Sequence, residues 1–451
     1  MKKQKESFLH ASDFGESFTW GVSTAAYQIE GGYDSHGKEP SIWDNFTAKK
    51  NTVHNGDNAN VSCDFYNKYE EDILLMKSMN INNFRFSISW SRIIPLGIGE
   101  INQNGINFYN KVIDFSLEQG ITPWVTLYHW DLPQALEEKG GWTNRAIIDW
   151  FSEFVTACAT YFGDRVKHWM VLNEPMVFTG AGYFLGVHAP GRKGLKNFLP
   201  AAHHAVLCQA EGGRILRKLV PDAQIGTTFS CSQITPYRNN ERDKRTAIKV
   251  DALLNRLFIE PALGFGYPVD NAPILKRLEP YIQPKDMELC KFDFDFIGIQ
   301  NYTREKVKYS LYVPYIRAKI VKASKRNVKT TLMDWEVYPP SIYHMIKKYN
   351  SYPQIKKIII TENGAAFEDV LEKEIVNDTE RLNYLRNYLA QVLRAKKEGL
   401  NIHGYFVWTF TDNFEWAEGY FPRFGLVHVD FKSLKRTIKA SGKWFAQFLP
   451  K

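Results

Sequence analysis

A chain of 451 residues, 44% hydrophobic and 24% charged, carries enough apolar material for a large core, which excludes an intrinsically disordered chain and a disulfide-stapled mini-domain. Its 57 Lys+Arg exceed its 49 Asp+Glu by a small and scattered surplus, and no run of about 18 apolar residues marks a membrane span. No apolar segment follows the basic start MKKQKESF, so no signal peptide is expected and the default address is the cytoplasm.

Along the chain, β-branched and aromatic runs alternate with amphipathic segments. FTWGVST from Phe18 reads as a first strand, followed by a long irregular stretch over 31–62 and a helix over 65–79. FRFSIS from Phe84 precedes a helix over 104–119, ITPWVTLYH from Ile121 one over 144–162, and HWMVLNE from His168 one over 201–219. QIGTTFS from Gln224 precedes a helix over 245–258, and FDFIGIQN from Phe294 leads through a second irregular stretch, 303–338, to a helix over 339–349. KIIITEN from Lys357 leads to the clearest helix, with Asn377 as its N-cap, Glu380 three residues on, and Leu382, Leu385, Leu389 and Val392 on one buried face. IHGYFVWTF from Ile402 and a helix over 434–448 complete the series.

Several of these eight strands are almost continuously apolar, as parallel strands buried on both faces must be. Eight βα units with right-handed crossovers close most economically into a single (β/α)8 barrel over 1–451; an open doubly wound sheet is the alternative, and no GxGxxG follows the first strand to support it. No linker divides the composition. Both irregular stretches follow strands, which places them at the C-terminal face, where barrel enzymes build their sites. Within the second, Arg317, Lys319, Lys322, Lys325, Arg326 and Lys329 read as a solvated loop rather than a nucleic-acid or membrane patch. Cys63, Cys158, Cys208, Cys231 and Cys290 are odd in number and contain no CxxC pair, so neither a disulfide framework nor a zinc site is expected.

Side chains at the C-terminal ends of barrel strands converge on one pocket, and here they form a polar set: Gln28, Arg85, His129, Asn173, Glu174, Tyr302 and Glu362, then Trp408, Asp412, Glu415 and Trp416. Two glutamates on opposite sides of the ring, among amides and tryptophans, suit glycoside hydrolysis, in which one carboxyl protonates the leaving oxygen and the other stabilises an oxocarbenium-like transition state. A helix-capping or ion-pairing role is the ordinary reading of either glutamate alone. A metal site built on His129, Glu174 and Glu362 lacks HExxH or HxH spacing, and the adjacent His203 and His204 point apart on a helix. A P-loop and a GxSxG elbow are absent.

The strings that hold these residues resemble glycoside hydrolase family 1, the β-glucosidase family: FTWGVSTAAYQIEG, RFSISWSRI, TLYHWDLP, NEP with GVHAPG, ITENG and WTFTDNFEWAEGY, over about 14–449. The resemblance implies a retaining, exo-acting β-glycosidase that works on small β-glycosides and oligosaccharides, cellulose fragments included, with no cofactor or metal. Glu174 would be the general acid/base and Glu362 the nucleophile, with Arg85 and Tyr302 lowering the pKa of Glu362. Gln28 and Glu415 would hold hydroxyls bidentately, His129 and Asn173 would take the 3- and 2-hydroxyls, Trp408 and Trp416 would wall the ring, and Trp335 would be the leaving-group platform. Two positions depart from the family pattern: Gln300-Asn301-Tyr302-Thr303 stands where Asn-Tyr-Tyr-Thr is usual, and Met176 stands where Trp is common. Met is adaptable, so varied leaving groups should fit. The competing readings are a 6-phospho-β-glycosidase, disfavoured by a carboxylate at Glu415 that repels phosphate, a non-catalytic sugar-binding barrel, and transglycosylation by the same site. The sequence does not indicate oligomeric state.

Overall fold

In the computed structural model, which describes residues 9–450, all eight expected strands form and close on one another. They are β1 (Thr19–Ser23), β2 (Asn83–Ser87), β3 (Thr122–Tyr128), β4 (His168–Asn173), β5 (Gln224–Ser230), β6 (Phe296–Gln300), β7 (Ile358–Asn363) and β8 (Ile402–Trp408). Every neighbouring pair is parallel, and β1 closes the ring on β8 with Trp20 opposite Tyr405 and Ser23 opposite Trp408. Nearly every strand residue is buried, which explains their continuous apolar pattern. The basic start at 1–8 lies outside the described residues, and no helix among those described is long and apolar enough to cross a membrane.

A helix follows each strand: α1 (Phe65–Ser78), α2 (Gln103–Glu118), α3 (Ile147–Phe162), α4 (Leu195–Leu219), α5 (Glu241–Asp251), α6 (Pro340–Asn350), α7 (Thr379–Lys397) and α8 (Ala440–Phe448). Outward-facing strand residues pack with these helices into the main core. Trp124, Met170, Phe296, Ile359 and Phe406, from five different strands, form a separate cluster that fills the barrel interior. Arg85 lies against this cluster, with its Nε 3.2 Å from the sulfur of Met170.

Several boundaries differ from the sequence reading. Helix α4 starts six residues before the expected 201, continuing through Pro200, and α5 starts at Glu241 because Asn240 Oδ1 accepts from the Asp243 amide at 2.9 Å. The segment 434–448 is not all helix: Arg436–Ile438 pairs antiparallel with Val427–Val429, and α8 begins only at Ala440. At the start of α7, Asp378 rather than Asn377 holds the cap position, and its carboxylate accepts from the Arg381 side chain and the Ser441 amide instead of from an amide of the first turn. Leu385, Leu389 and Val392 are buried there as expected, but Leu382 is half-buried and Tyr384 and Tyr388 complete the face. The stretch 303–338 is not irregular throughout, because Arg304–Tyr309 and Ala318–Ile320 join Gln233–Pro236 in a three-stranded sheet over the barrel mouth. Of the basic cluster in that stretch, Arg326 turns inward to Glu336, while the lysines and Arg317 stay exposed. All five cysteines are buried and unpaired.

Candidate active site

The barrel positions its polar residues through local backbone departures. Strand β7 gains one residue relative to β6 between Ile360 and Glu362, and β4 gains one relative to β5 between Met170 and Asn173. Such bulges re-aim the side chains that follow them, here Glu362 and the Asn173-Glu174 pair. Gly364, two residues after Glu362, has no room for a side chain, since a Cβ would sit 1.7 Å from the carbonyl oxygen of Trp408. Trp130, Glu174 and Trp416 all have positive φ, at 80°, 46° and 49°, a conformation that costs non-glycine residues energy and is retained where the surroundings impose it.

These residues enclose a pocket of about 340 Å³ lined by His129, Glu174, Tyr302, Trp335, Glu362, Trp408, Glu415 and Trp416. Of the eleven residues to which the resemblance gives a role, eight therefore meet at one surface. The other three, Gln28, Arg85 and Asn173, are fully buried beneath it and bond to residues that line it.

Glu362 is held by two donors: Arg85 Nη1 at 2.5 Å from Oε1 and the Tyr302 hydroxyl at 2.7 Å from Oε2. Tyr302 is itself fixed by the hydroxyls of Tyr384 and Tyr388, which donate to its carbonyl at 2.8 and 3.0 Å. The expectation of a depressed pKa for Glu362 needs correction. Burial lifts its carboxyl above the ordinary value, and the Arg85 charge and the Tyr302 hydrogen bond offset only part of that rise. Glu174 is pushed up further, by burial first and then by the charge of Glu362, with a hydrogen bond from Ser230 opposing. The two carboxyls titrate as a pair, so the first proton taken up resides on Glu174 and the remaining negative charge on Glu362, where Arg85 and Tyr302 stabilise it.

Asn173 has a fixed orientation. Its Oδ1 accepts from Arg85 Nη2 at 2.6 Å, Gln300 Nε2 at 2.8 Å and Thr228 Oγ1 at 2.9 Å, so its amide nitrogen must face His129 Nε2, 2.9 Å away. Burial, reinforced by the Arg85 charge, holds His129 neutral, so its proton sits on Nδ1, a buried donor with no protein partner. Gln28 Nε2 donates to the Phe414 carbonyl at 2.8 Å and contacts Glu415 Oε2 at 3.3 Å, while its Oε1 is buried and unpartnered. Orphaned buried donors and acceptors beside a pocket are costly unless a polar ligand satisfies them.

Glu415 also departs from expectation. Burial and the charge of Glu362 push its carboxyl up to about 8, so it holds its proton at neutral pH. Asp412, three residues earlier, braces the loop rather than facing the pocket: it pairs with Lys439 at 2.5 Å and Arg423 at 2.7 Å. The aromatic walls are tightly packed, with Trp416 4.6 Å from both Trp43 and Trp130, and Trp335 5.1 Å from Tyr302, centroid to centroid.

Sequence reasoning missed three contributors. Ser230 ends β5, lines the pocket and offsets part of the rise in the Glu174 pKa, and the strand-end rule that found the other residues points to it as well. Trp130 lines the pocket and donates its indole N–H to the Asn173 carbonyl at 2.9 Å. Gln300, noted only as a departure, supports Asn173 rather than the nucleophile position. The paired histidines sit apart as expected, His203 bonding Tyr267 and Asp286 and His204 the Trp142 carbonyl.

A (β/α)8 barrel with two buried, differently supported carboxyls in an aromatic pocket of orphaned hydrogen-bonding groups has the architecture of a glycoside hydrolase. The sequence profile of Glycosyl hydrolase family 1 matches residues 10–451, and the chain belongs to that family. It is 43% identical over 438 residues to a 1,4-beta-D-glucan glucohydrolase of Thermotoga neapolitana, covering 97% of this chain and 98% of that protein. Its fold matches the family 1 β-glucosidase of Thermotoga maritima with a TM-score of 0.93 at 41% identity, covering 96% of this chain and 97% of that one. The match to a β-glucosidase of the same organism in complex with deoxynojirimycin has a TM-score of 0.92, again at 41% identity and covering 96% and 97% of the two chains.

Proposed function

We propose that the chain is a retaining β-glucosidase that removes terminal β-D-glucosyl units, with Glu174 as general acid/base and Glu362 as nucleophile. The observation that carries this assignment is the asymmetric support of the two carboxyls. Arg85 and Tyr302 both donate to Glu362, whereas among the described residues no cation or phenol lies at contact distance from Glu174. A nucleophile must be ionised and an acid protonated, and that asymmetry favours this distribution. Glu174 gives its proton to the leaving oxygen as Glu362 bonds the anomeric carbon. Once glycosylation removes the charge of Glu362, the pKa of Glu174 falls and it takes a proton from the attacking water. The free amide N–H of Asn173, His129 Nδ1 and Gln28 Oε1 are supplied for sugar hydroxyls. Trp408 and Trp416 wall the ring, and Trp335 lies toward the leaving group.

A phosphorylated sugar is the poorer fit. Among the described residues no lysine or arginine lines the pocket, while Glu174, Glu305, Glu362, Glu415 and Glu418 do, so a 6-phosphate would meet carboxyls and no counter-charge. Since Glu174 and Glu415 hold their protons, this exclusion rests on the missing counter-charge and the charge of Glu362, not on Glu415. The test is hydrolysis of a panel of nitrophenyl glycosides with the product followed by proton NMR. β-D-Glucoside should be cleaved with the β-anomer formed first, and preferred turnover of the 6-phosphoglucoside, or initial α-anomer, would overturn the reading.

A further inference from the structure

The net charge of +8 is not spread over the barrel. Segment 304–329 carries nine Lys+Arg against one acid, Glu305, a surplus of eight that equals the charge of the whole chain and leaves the rest balanced. Arg304 and Arg326 pair with Glu336, and Lys329 pairs with Glu380, while the other six cations make no ion pair among the described residues. Arg304–Tyr309 and Ala318–Ile320 form a hairpin in the sheet over the barrel mouth, with Lys308 directly opposite Lys319. Side chains alternate along a strand, so Val307 turns to the buried Ala247 and Val250 of α5, and Lys306, Lys308 and Lys319 share the other face. Like charges directly opposite one another weaken a hairpin, so folding does not account for this pair.

Cations alone are satisfied by water, the ordinary state of a lysine-rich loop. The loop 310–317 that joins the two strands is different. It turns Ile316 inward onto the Val307 cluster but leaves Leu311, Tyr312 and Tyr315 exposed by 69%, 98% and 55%. Arg277, from outside the segment, lies 5.7 Å from the Tyr315 ring and adds a cation at the tip. We propose that this hairpin docks on an anionic lipid bilayer, its lysines and Arg317 meeting lipid phosphates while Leu311, Tyr312 and Tyr315 enter the headgroup layer. Stable attachment to a bilayer takes two signals, and the hairpin has both, a basic face and an apolar, aromatic tip. A nucleic acid or an acidic polysaccharide would use the cations and could stack on the tyrosines, but Leu311 gains only from an apolar phase. None of these residues lines the catalytic pocket, so the inference stands apart from the glucosidase reading.

The experiment is cosedimentation of the full chain with vesicles of phosphatidylcholine alone, and of phosphatidylcholine with about 30% phosphatidylglycerol, at about 0.15 M salt. The chain should sediment with the anionic vesicles only and be released by about 0.5 M salt. Lys308→Gln with Lys319→Gln should weaken binding about 25-fold, since each cation near such a surface contributes about fivefold, and Lys308→Arg with Lys319→Arg should preserve it. Leu311→Ser with Tyr312→Ser leaves every charge in place and should weaken binding about tenfold or more. Hydrolysis of nitrophenyl β-D-glucoside reports folding and should be unchanged in all of them. Failure to bind the anionic vesicles overturns the proposal, as does full binding by either the glutamine or the serine variant; should one of these lose hydrolysis, the other decides. Single-stranded DNA or heparin bound as tightly as the vesicles, and equally well by the serine variant, would make the face a general polyanion site and overturn the lipid assignment.

Discussion

Replacing Tyr302 with Phe removes one hydroxyl and leaves the ring that packs against Trp335 and Phe424. That hydroxyl stays protonated, because burial and the charge of Glu362 hold its pKa well above the phenol value, so it acts as a donor to Glu362 Oε2 at 2.7 Å. A hydrogen bond to an ionised partner contributes about 1.5 to 3 kcal/mol, equivalent to roughly 10- to 150-fold in rate and one to two pH units in the pKa of the acceptor. The bond lowers the pKa of Glu362, so its loss raises that pKa, and less of the enzyme carries an ionised nucleophile at acidic pH. The acidic limb of the kcat/KM profile should therefore move upward by about one unit or more and the bell should narrow, with the limbs read as properties of the coupled pair. Steady-state kinetics on nitrophenyl β-D-glucoside between pH 4 and 9 make the comparison. A variant that loses less than about fivefold and keeps its acidic limb in place would refute the claim that Tyr302 sustains the ionised form of Glu362.

Glu362→Gly should lose turnover by several orders of magnitude, and azide should restore a product of α configuration, because a small anion attacks from the face the nucleophile vacated. Glu174→Ala should keep the first step on good leaving groups and give a β-azide, and the same anomer from both variants would reverse the assignment. Glu415→Ser should lower kcat/KM for glucoside by roughly 10- to 150-fold, the effect of losing a hydrogen-bond partner that becomes charged as the pH rises toward 8, and should narrow the gap to the 6-phosphoglucoside. Lys439→Met should cost about 3 to 5 kcal/mol of stability at neutral pH, seen as a lower thermal midpoint, since Asp412 and Asp369 are fully buried and both bond its amine.

The barrel was readable because its strands are buried on both faces: a continuous apolar run survives any error of a residue or two in its ends. Helix limits were less readable, since they depend on which side chain takes the cap. Asp378 looked like part of a capping sequence yet spends its carboxylate on Arg381 and the start of α8, a partner 63 residues away for the Ser441 amide. The Ala318–Ile320 strand went unseen because it is short, partly exposed and basic, and exists through its pairing with Arg304–Tyr309. In the site, residue types and positions were legible, and charge states were not. Glu415 read as a plain carboxylate and Glu362 as one with a lowered pKa, but enclosure in one pocket raises the pKa of each, and burial is a property of the fold that no motif states.

Covalent capture of the nucleophile tests the central claim most directly. A 2-deoxy-2-fluoro-β-D-glucoside with a dinitrophenyl leaving group destabilises both oxocarbenium-like transition states, while its good leaving group keeps the first step going, so a glycosyl-enzyme accumulates. After proteolysis and mass spectrometry, the account predicts a single fluoroglucosyl adduct, on the peptide that contains Glu362 and on its carboxylate. An adduct on Glu174 or elsewhere, or steady inactivation with no adduct, would contradict it.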